Sequence, residues 1–113
     1  MTFSLDDIET LINERKSASP DSSYVAQLNQ KGIDKILEKV GEESVEMILA
    51  AKNFAASPIH ENRSELIGEV ADLWFHTMVM LSHLDLNHCD MIEELERRFG
   101  RSGLDEKASR PQN

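Results

Sequence analysis

The segment Ile33-Asp-Lys-Ile-Leu-Glu-Lys-Val-Gly-Glu-Glu-Ser-Val-Glu-Met-Ile-Leu-Ala-Ala-Lys-Asn-Phe-Ala-Ala56 decides the fold. It contains no proline. At about 100° per residue, Ile33, Ile36, Leu37, Val40, Met47, Ile48 and Ala51 share one stripe. That spacing predicts a long amphipathic helix with this stripe in the core. Glu43 lies at the stripe's edge, with Glu46 and Lys39 beside it, and Glu38 and Glu42 lie farther round. Ser57-Pro58 ends the helix, because proline lacks an N–H and clashes with the preceding turn. A second long helix is expected from about Asn62 to Asp85. Its core stripe would be Leu66, Ile67, Val70, Leu73, Trp74, Thr77 and Leu81. Glu65, Glu69, Asp72, His76 and His83 form a polar stripe on another face. If the two helices pack antiparallel, one edge of each meets across a groove, and four carboxylates surround one small volume.

The rest of the chain also reads as helix. Ser4 with Asp7 three residues on resembles a capping pair, opening a helix over Leu5, Ile8, Leu11 and Ile12. Pro20 and few apolar residues make Ser17 to Ser23 a loop. Ser22 or Ser23 caps a short helix through Tyr24, Val25 and Leu28 that ends near Gly32. Asn87, with Asp90 three residues later, caps another over Met91, Ile92 and Leu95. Gly100, Gly103 and Pro111 mark a tail. The expected fold class is therefore all-α: a bundle of four to five helices with two long antiparallel ones. Residues 1–99 form the domain, and residues 100–113 form a basic tail.

Composition narrows the function. The chain has 113 residues and a net charge of −9, room for one domain. That charge argues against nucleic-acid and membrane-surface binding. Phosphate substrates remain open, since a bound divalent ion reverses the sign locally. Cys89 is the lone cysteine, which excludes an intrachain disulfide and fits a reducing compartment. No context visible in the sequence activates it as a nucleophile, and adjacency in a helix is expected to point His88 elsewhere. The N-terminus has neither a basic nor an apolar region of a secretory signal, and no apolar stretch reaches the roughly 20 residues that span a bilayer. The expected location is cytoplasmic.

Glu42-Glu43-Ser-Val-Glu46 and Glu69-Val-Ala-Asp72 carry the chemistry. Carboxylates three or four residues apart share a helix face and repel each other. Converging hard oxygen ligands suit Mg²⁺ or Mn²⁺, and so point to a metal-dependent enzyme acting on a phosphate-containing substrate. A solvated acidic face is the competing reading. Such faces commonly interleave Lys or Arg at i+4, yet Val40 to Ala51 and Ser64 to Asp90 contain neither. Val45, Leu49 and Val79 fall away from the core stripes. Helices apolar on two sides are buried on two sides, which favours a homodimer through the long helices.

Together these stretches resemble a known family. Glu-Glu-x-x-Glu on one helix followed by Glu-x-x-Asp on the next is similar to the MazG-like all-α nucleotide pyrophosphohydrolases. The stretch Ile36 to Lys52 resembles more narrowly the phosphoribosyl-ATP pyrophosphohydrolase family of histidine biosynthesis. So do Ser23-Tyr24-Val-Ala-Gln-Leu, Glu69-Val-Ala-Asp-Leu-Trp-Phe-His76 and Ser102-Gly-Leu-Asp-Glu-Lys-Ala-Ser-Arg110. The resemblance covers roughly residues 22 to 110. Minor departures are Glu38, where a basic residue is commoner, and Trp74, where an aliphatic residue or Tyr is. The length implies the form without a fused cyclohydrolase.

The resemblance implies hydrolysis of phosphoribosyl-ATP to phosphoribosyl-AMP and pyrophosphate with Mg²⁺, or possible Mn²⁺, as cofactor. Glu43, Glu46, Glu69 and Asp72 would be the metal ligands, with Glu42 an additional ligand. Glu43 or Glu46 would take the proton from water, and the sequence does not choose between them. Lys39, Arg98, Arg101, Lys107 and Arg110 would meet phosphates; a salt bridge is the alternative for Lys39, and complementing a helix end is the alternative for Arg98. Ser23, Tyr24 and His76 are further possible substrate contacts. Capping and packing explain the first two equally, and an edge position explains His76. Two other functions stay in view: a house-cleaning NTP pyrophosphohydrolase with the same chemistry, and a non-enzymatic helical dimerisation module.

Overall fold

The computed structural model describes residues 2–100. Five helices follow one another: α1 (Leu5–Arg15), α2 (Tyr24–Lys31), α3 (Ile33–Ala56), α4 (His60–His83) and α5 (His88–Phe99). No strand occurs among the described residues, so the fold is all-α, as expected.

Local chemistry fixes most helix ends. Ser4 and Asp7 form a reciprocal capping box on α1, and Asn87 and Asp90 form another on α5. Ser23 caps α2 by accepting the Ala26 N–H at 3.1 Å. Gly32 joins α2 directly to α3. Its φ of 97° and ψ of 179° lie in a region essentially closed to residues with a Cβ, so a side chain here would strain the junction.

The second long helix is shifted from its expected span. It starts at His60, because the Asn62 amide does not cap it. That amide instead donates to the carbonyls of Asn53 and Ser57, at 3.4 and 2.9 Å, tying α4 to the end of α3. It ends at His83 in a Schellman motif: Leu86 N–H reaches the Leu81 carbonyl and Asp85 N–H the Ser82 carbonyl. Asp85 takes the left-handed position with φ 60°, which Asp tolerates better than most residues. Lys16 adds to this cap, donating to the Ser82 carbonyl at 3.1 Å.

Ser57-Pro58-Ile59 reverses the chain, and α3 and α4 pack against each other as the dominant pair. Glu43 stands fifteen residues before Pro58 and Asp72 fourteen after it; Glu46 stands twelve before and Glu69 eleven after. An antiparallel hairpin of helices must therefore bring Glu43 level with Asp72 and Glu46 level with Glu69, in adjacent turns of the seam.

The core is narrower than the stripes predict. Its centre is Ile12, Val25, Leu28, Ile36, Met78 and Val79, where α1, α2, α3 and α4 converge. Of the expected α3 stripe only Ile36 is fully buried; Ile33, Val40 and Met47 are half-buried, and Leu37, Ile48 and Ala51 are exposed. On α4, Ile67 and Trp74 are exposed, at 55% and 52%, while Met78 and Val79 are deep. Val79 is thus core and not surplus. The physical reason is coverage: α2 and α4 shield one flank of α3, and no described helix reaches the other. Val45 and Leu49 are exposed on α3, as expected of apolar surplus.

Candidate active site

The carboxylates sit where the two long helices face each other. One oxygen each from Glu43, Glu69 and Asp72 lies within 4.8 Å of the others. Glu46 is exposed but within hydrogen-bonding reach of both Glu43 and Glu69. The four expected ligands are therefore gathered at one place, with Glu46 at the rim. Glu42 is turned away: its carboxylate pairs with Lys39 at 3.3 Å.

Gathering like charges has a measurable consequence. Partial burial first, then the charges of Glu46 and Asp72, push the Glu43 carboxyl above its ordinary value. Glu69 rises from 4.5 to about 7, first because burial penalises its ionised form and then because Glu46 and Glu43 stand against it. Oε2 of Glu43 and Oε2 of Glu69 are sealed from solvent and have no hydrogen-bond partner. A buried carboxylate oxygen without a donor is costly. Buried acceptors left without donors in a cluster of acids are what a hard divalent cation satisfies, so the donor set fits Mg²⁺ or Mn²⁺.

Lys39 stands close enough to this cluster to feel the charge of Glu43. Its ammonium is held charged above its usual range, foremost by the hydrogen bond to Glu42, with Tyr24 and Glu43 adding weaker contributions. It thus makes the local salt bridge and also stands beside the acidic cluster.

Tyr24 and His76 form a unit on the same flank. The Asp72 carbonyl, 2.8 Å away, accepts from His76 Nδ1. In the neutral ring this leaves Nε2 to accept the Tyr24 hydroxyl at 3.0 Å. Tyr24 stacks on Phe75, with centroids 6.2 Å apart and planes 18° apart. His76 is only 6% exposed, which corrects its expected edge position: α2 lies across it and covers the ring. Tyr24 is half open and lines a cavity of about 360 Å³ with Arg15, Ser22, Ser23 and Phe75. Arg15 was not singled out by the sequence, since nothing local links it to Tyr24. Ser23 is buried, and its hydroxyl caps α2 and donates to the Arg15 carbonyl at 3.2 Å, so the fold already uses it.

Arg98 lies in the last turn of α5, paired with Glu94 at 3.0 Å. Glu94 also holds Arg97, and hydrogen bonds from both guanidiniums pull its carboxyl down to about 2. Arg101, Lys107 and Arg110 lie outside the described residues.

A model of the phosphoribosyl-ATP pyrophosphohydrolase family matches residues 5–99, from the start of α1 to the end of α5. The chain belongs to that family. It is accordingly a hydrolase of phosphoribosyl-ATP pyrophosphohydrolase type, and a small nucleotide is the kind of substrate this family takes. No described helix is long and apolar enough to cross a membrane.

Proposed function

We propose that this chain hydrolyses phosphoribosyl-ATP to phosphoribosyl-AMP and pyrophosphate, the second step of histidine biosynthesis, in a Mg²⁺-dependent reaction in the cytoplasm. Mn²⁺ is an alternative ion. The observation carrying this reading is the pair of buried, partnerless carboxylate oxygens on Glu43 and Glu69, inside a cluster of four acids.

Glu43, Glu69 and Asp72 would hold the ion, with Glu46 completing the set. Mg²⁺ there would neutralise phosphate charge and stabilise the leaving pyrophosphate. Glu43 or Glu46, whichever is less engaged, would accept a proton from the attacking water. Lys39 offers a positive charge to phosphate at the cluster's edge, and Tyr24 presents a hydroxyl and an aromatic edge beside it. Arg98, Arg101, Lys107 and Arg110 would add phosphate contacts. Truncation after Phe99 tests the last three; unchanged KM and kcat would exclude them.

The chain would act as a homodimer. Leu37, Val45, Ile48 and Leu49 on α3 and Ile67 and Trp74 on α4 are each 46–58% exposed. An apolar groove of about 620 Å³ runs between α1 and α4, bordered by Leu5, Ile8, Ile67 and Trp74. Exposed apolar side chains in this number support an interface between two copies.

Pyrophosphate release from phosphoribosyl-ATP and from ordinary nucleoside triphosphates, each with and without Mg²⁺, tests the function. Release from phosphoribosyl-ATP alone, dependent on the ion, is the expected result. Equal release from ordinary triphosphates would make the chain a house-cleaning enzyme, and no release a non-catalytic module. Gln at Glu43 and at Glu46 separates roles: a base variant keeps Mg²⁺ affinity and loses turnover, while a ligand variant loses both.

A further inference from the structure

A second cluster of metal-binding atoms lies where α5 meets α1, built from residues the proposed hydrolysis does not use. His88 and Cys89 open α5 just after its cap, Asn87. Asp6 and Glu9 face them from the first turns of α1. The His88 ring is nearly buried, its side chain 7% exposed. Its Nε2 lies 2.9 Å from Asp6 Oδ1 and 3.9 Å from Cys89 Sγ. One ligand atom each from Asp6, His88 and Cys89 lies within 4.8 Å of the others. The sequence reading, which pointed His88 away from Cys89, is corrected here: the imidazole folds back toward the sulfur because Asp6 and Glu9 draw it to α1.

We propose that Asp6, His88 and Cys89 bind a thiophilic divalent cation of the zinc class, at a site distinct from the acidic cluster on α3 and α4. Imidazole nitrogen, thiolate sulfur and carboxylate oxygen are all zinc ligands, and tetrahedral bond lengths of about 2.0–2.3 Å place ligand atoms roughly 3.3–3.8 Å apart. Asp6 and Cys89 are exposed, so small rotations of their side chains close the remaining gap and an ion has a path in. Three protein ligands leave a fourth position for water. Sulfur and imidazole select against Mg²⁺, so the two sites sort different ions.

Glu9 holds His88 from the α1 side. Its Oε1 accepts the His88 backbone N–H at 2.9 Å. Its Oε2 lies 3.1 Å from His88 Nδ1, yet Nδ1 is buried and makes no hydrogen bond. At 3.1 Å the Glu9 carboxylate is placed to take the Nδ1–H bond with a small turn of the ring, the outer support usual for a zinc-bound imidazole. A simple ion pair would account for His88 between two acids but not for the thiol. Burial first, then the charges of Asp6, Glu9, Glu93 and Asp90, raise the Cys89 thiol above its usual range. On binding, the S–H bond gives way to a sulfur–metal bond and the proton goes to water; His88 contributes the Nε2 lone pair, any proton there also passing to water. The ion would clamp α5 to α1, the helix on which it chiefly packs.

Co²⁺ is the probe, titrated into the full chain with Mg²⁺ in excess. The expected result is a near-ultraviolet thiolate-to-cobalt charge-transfer band with tetrahedral visible bands, abolished by Zn²⁺ and by Cys89→Ser, and retained in Glu69→Gln. A His88→Gln variant should bind at least tenfold more weakly. Absence of the band in the parent chain, its survival in Cys89→Ser, or its loss in Glu69→Gln would each overturn the site. Cys89 is exposed, so its serine variant keeps the core intact and the test stands even if His88→Gln fails to fold.

Discussion

Lowering the pH should strip Mg²⁺ from the acidic hairpin well above the pH at which ordinary carboxylates titrate. Glu69 carries the effect, because its proton and the ion compete for the same oxygens. With its carboxyl at about 7, about three-quarters of the protein has Glu69 ionised at pH 7.5 and about 3% at pH 5.5. This one group should therefore weaken apparent Mg²⁺ affinity roughly 25-fold across those two pH units. A carboxyl left at 4.5 would change it only about 1.1-fold over the same range, so the experiment separates the cases cleanly. The linkage to stability has a definite sign. The folded value lies above the unfolded one, so this group's contribution is complete below about 4.5 and is lost as pH rises to about 7. Metal-free protein should accordingly lose this stabilisation between about pH 4.5 and 7, and added Mg²⁺ should offset the loss most strongly at the upper end. Isothermal titration at both pH values gives the affinities. Repeating it near pH 6 in two buffers of unlike ionisation enthalpy counts the protons released, close to one per ion. Glu69→Gln should flatten both trends. Affinities equal within twofold at pH 5.5 and 7.5, with no proton release, would refute the placement of Glu69 inside a cation site.

Ile36 has no exposed surface, so Ile36→Ala should destabilise by about 2–5 kcal/mol in urea unfolding; a loss below about 1 kcal/mol would mean that α2, α3 and α4 do not converge there. Trp74→Glu introduces a charge on the open face of α4 and should halve the mass seen by light scattering without reducing helix content. A parent chain that is already monomeric at high concentration would remove the dimer altogether. Tyr24→Phe keeps the stack on Phe75 but leaves His76 Nε2 without its donor, costing about 1–3 kcal/mol. An unshifted melting temperature would show that the hydroxyl bond is not made.

What the residues disclosed in advance depended on how far apart the interacting groups lie along the chain. The caps at Ser4 and Asn87 were legible because each pairs with an aspartate three positions away, while the α2 cap was narrowed only to Ser22 or Ser23 because its partner is a backbone N–H. The convergence of Glu43, Glu46, Glu69 and Asp72 was legible for a related reason: one short turn at Pro58 fixes the register of both helices. The faces of α3 were not. Its apolar side chains cover more than one flank, and periodicity alone cannot say which flank α2 and α4 will occupy. The same limit hid the burial of His76 under α2. It also hid the meeting of Glu9 with His88, separated by 79 positions and joined only by the packing of α5.

The acidic hairpin also depends on apolar contacts that lie away from it. Four carboxylates in adjacent turns of a two-helix seam push α3 and α4 apart, and partial protonation at Glu69 relieves only part of that push. The opposing attraction comes from Ile36 on α3 packed with Leu28 of α2 and with Met78 and Val79 of α4, further along the seam from Pro58 than the acids are. The Asn62 amide ties the other end, at the turn. The carboxylates are thus held between two fixed points by groups that do not touch substrate. For the proposed ion site, a seam fixed at both ends would keep the ligand atoms of Glu43, Glu69 and Asp72 close together before the ion arrives, so binding energy would not be spent on gathering them. Substitutions that loosen either anchor should therefore weaken ion binding even though every acid remains in place.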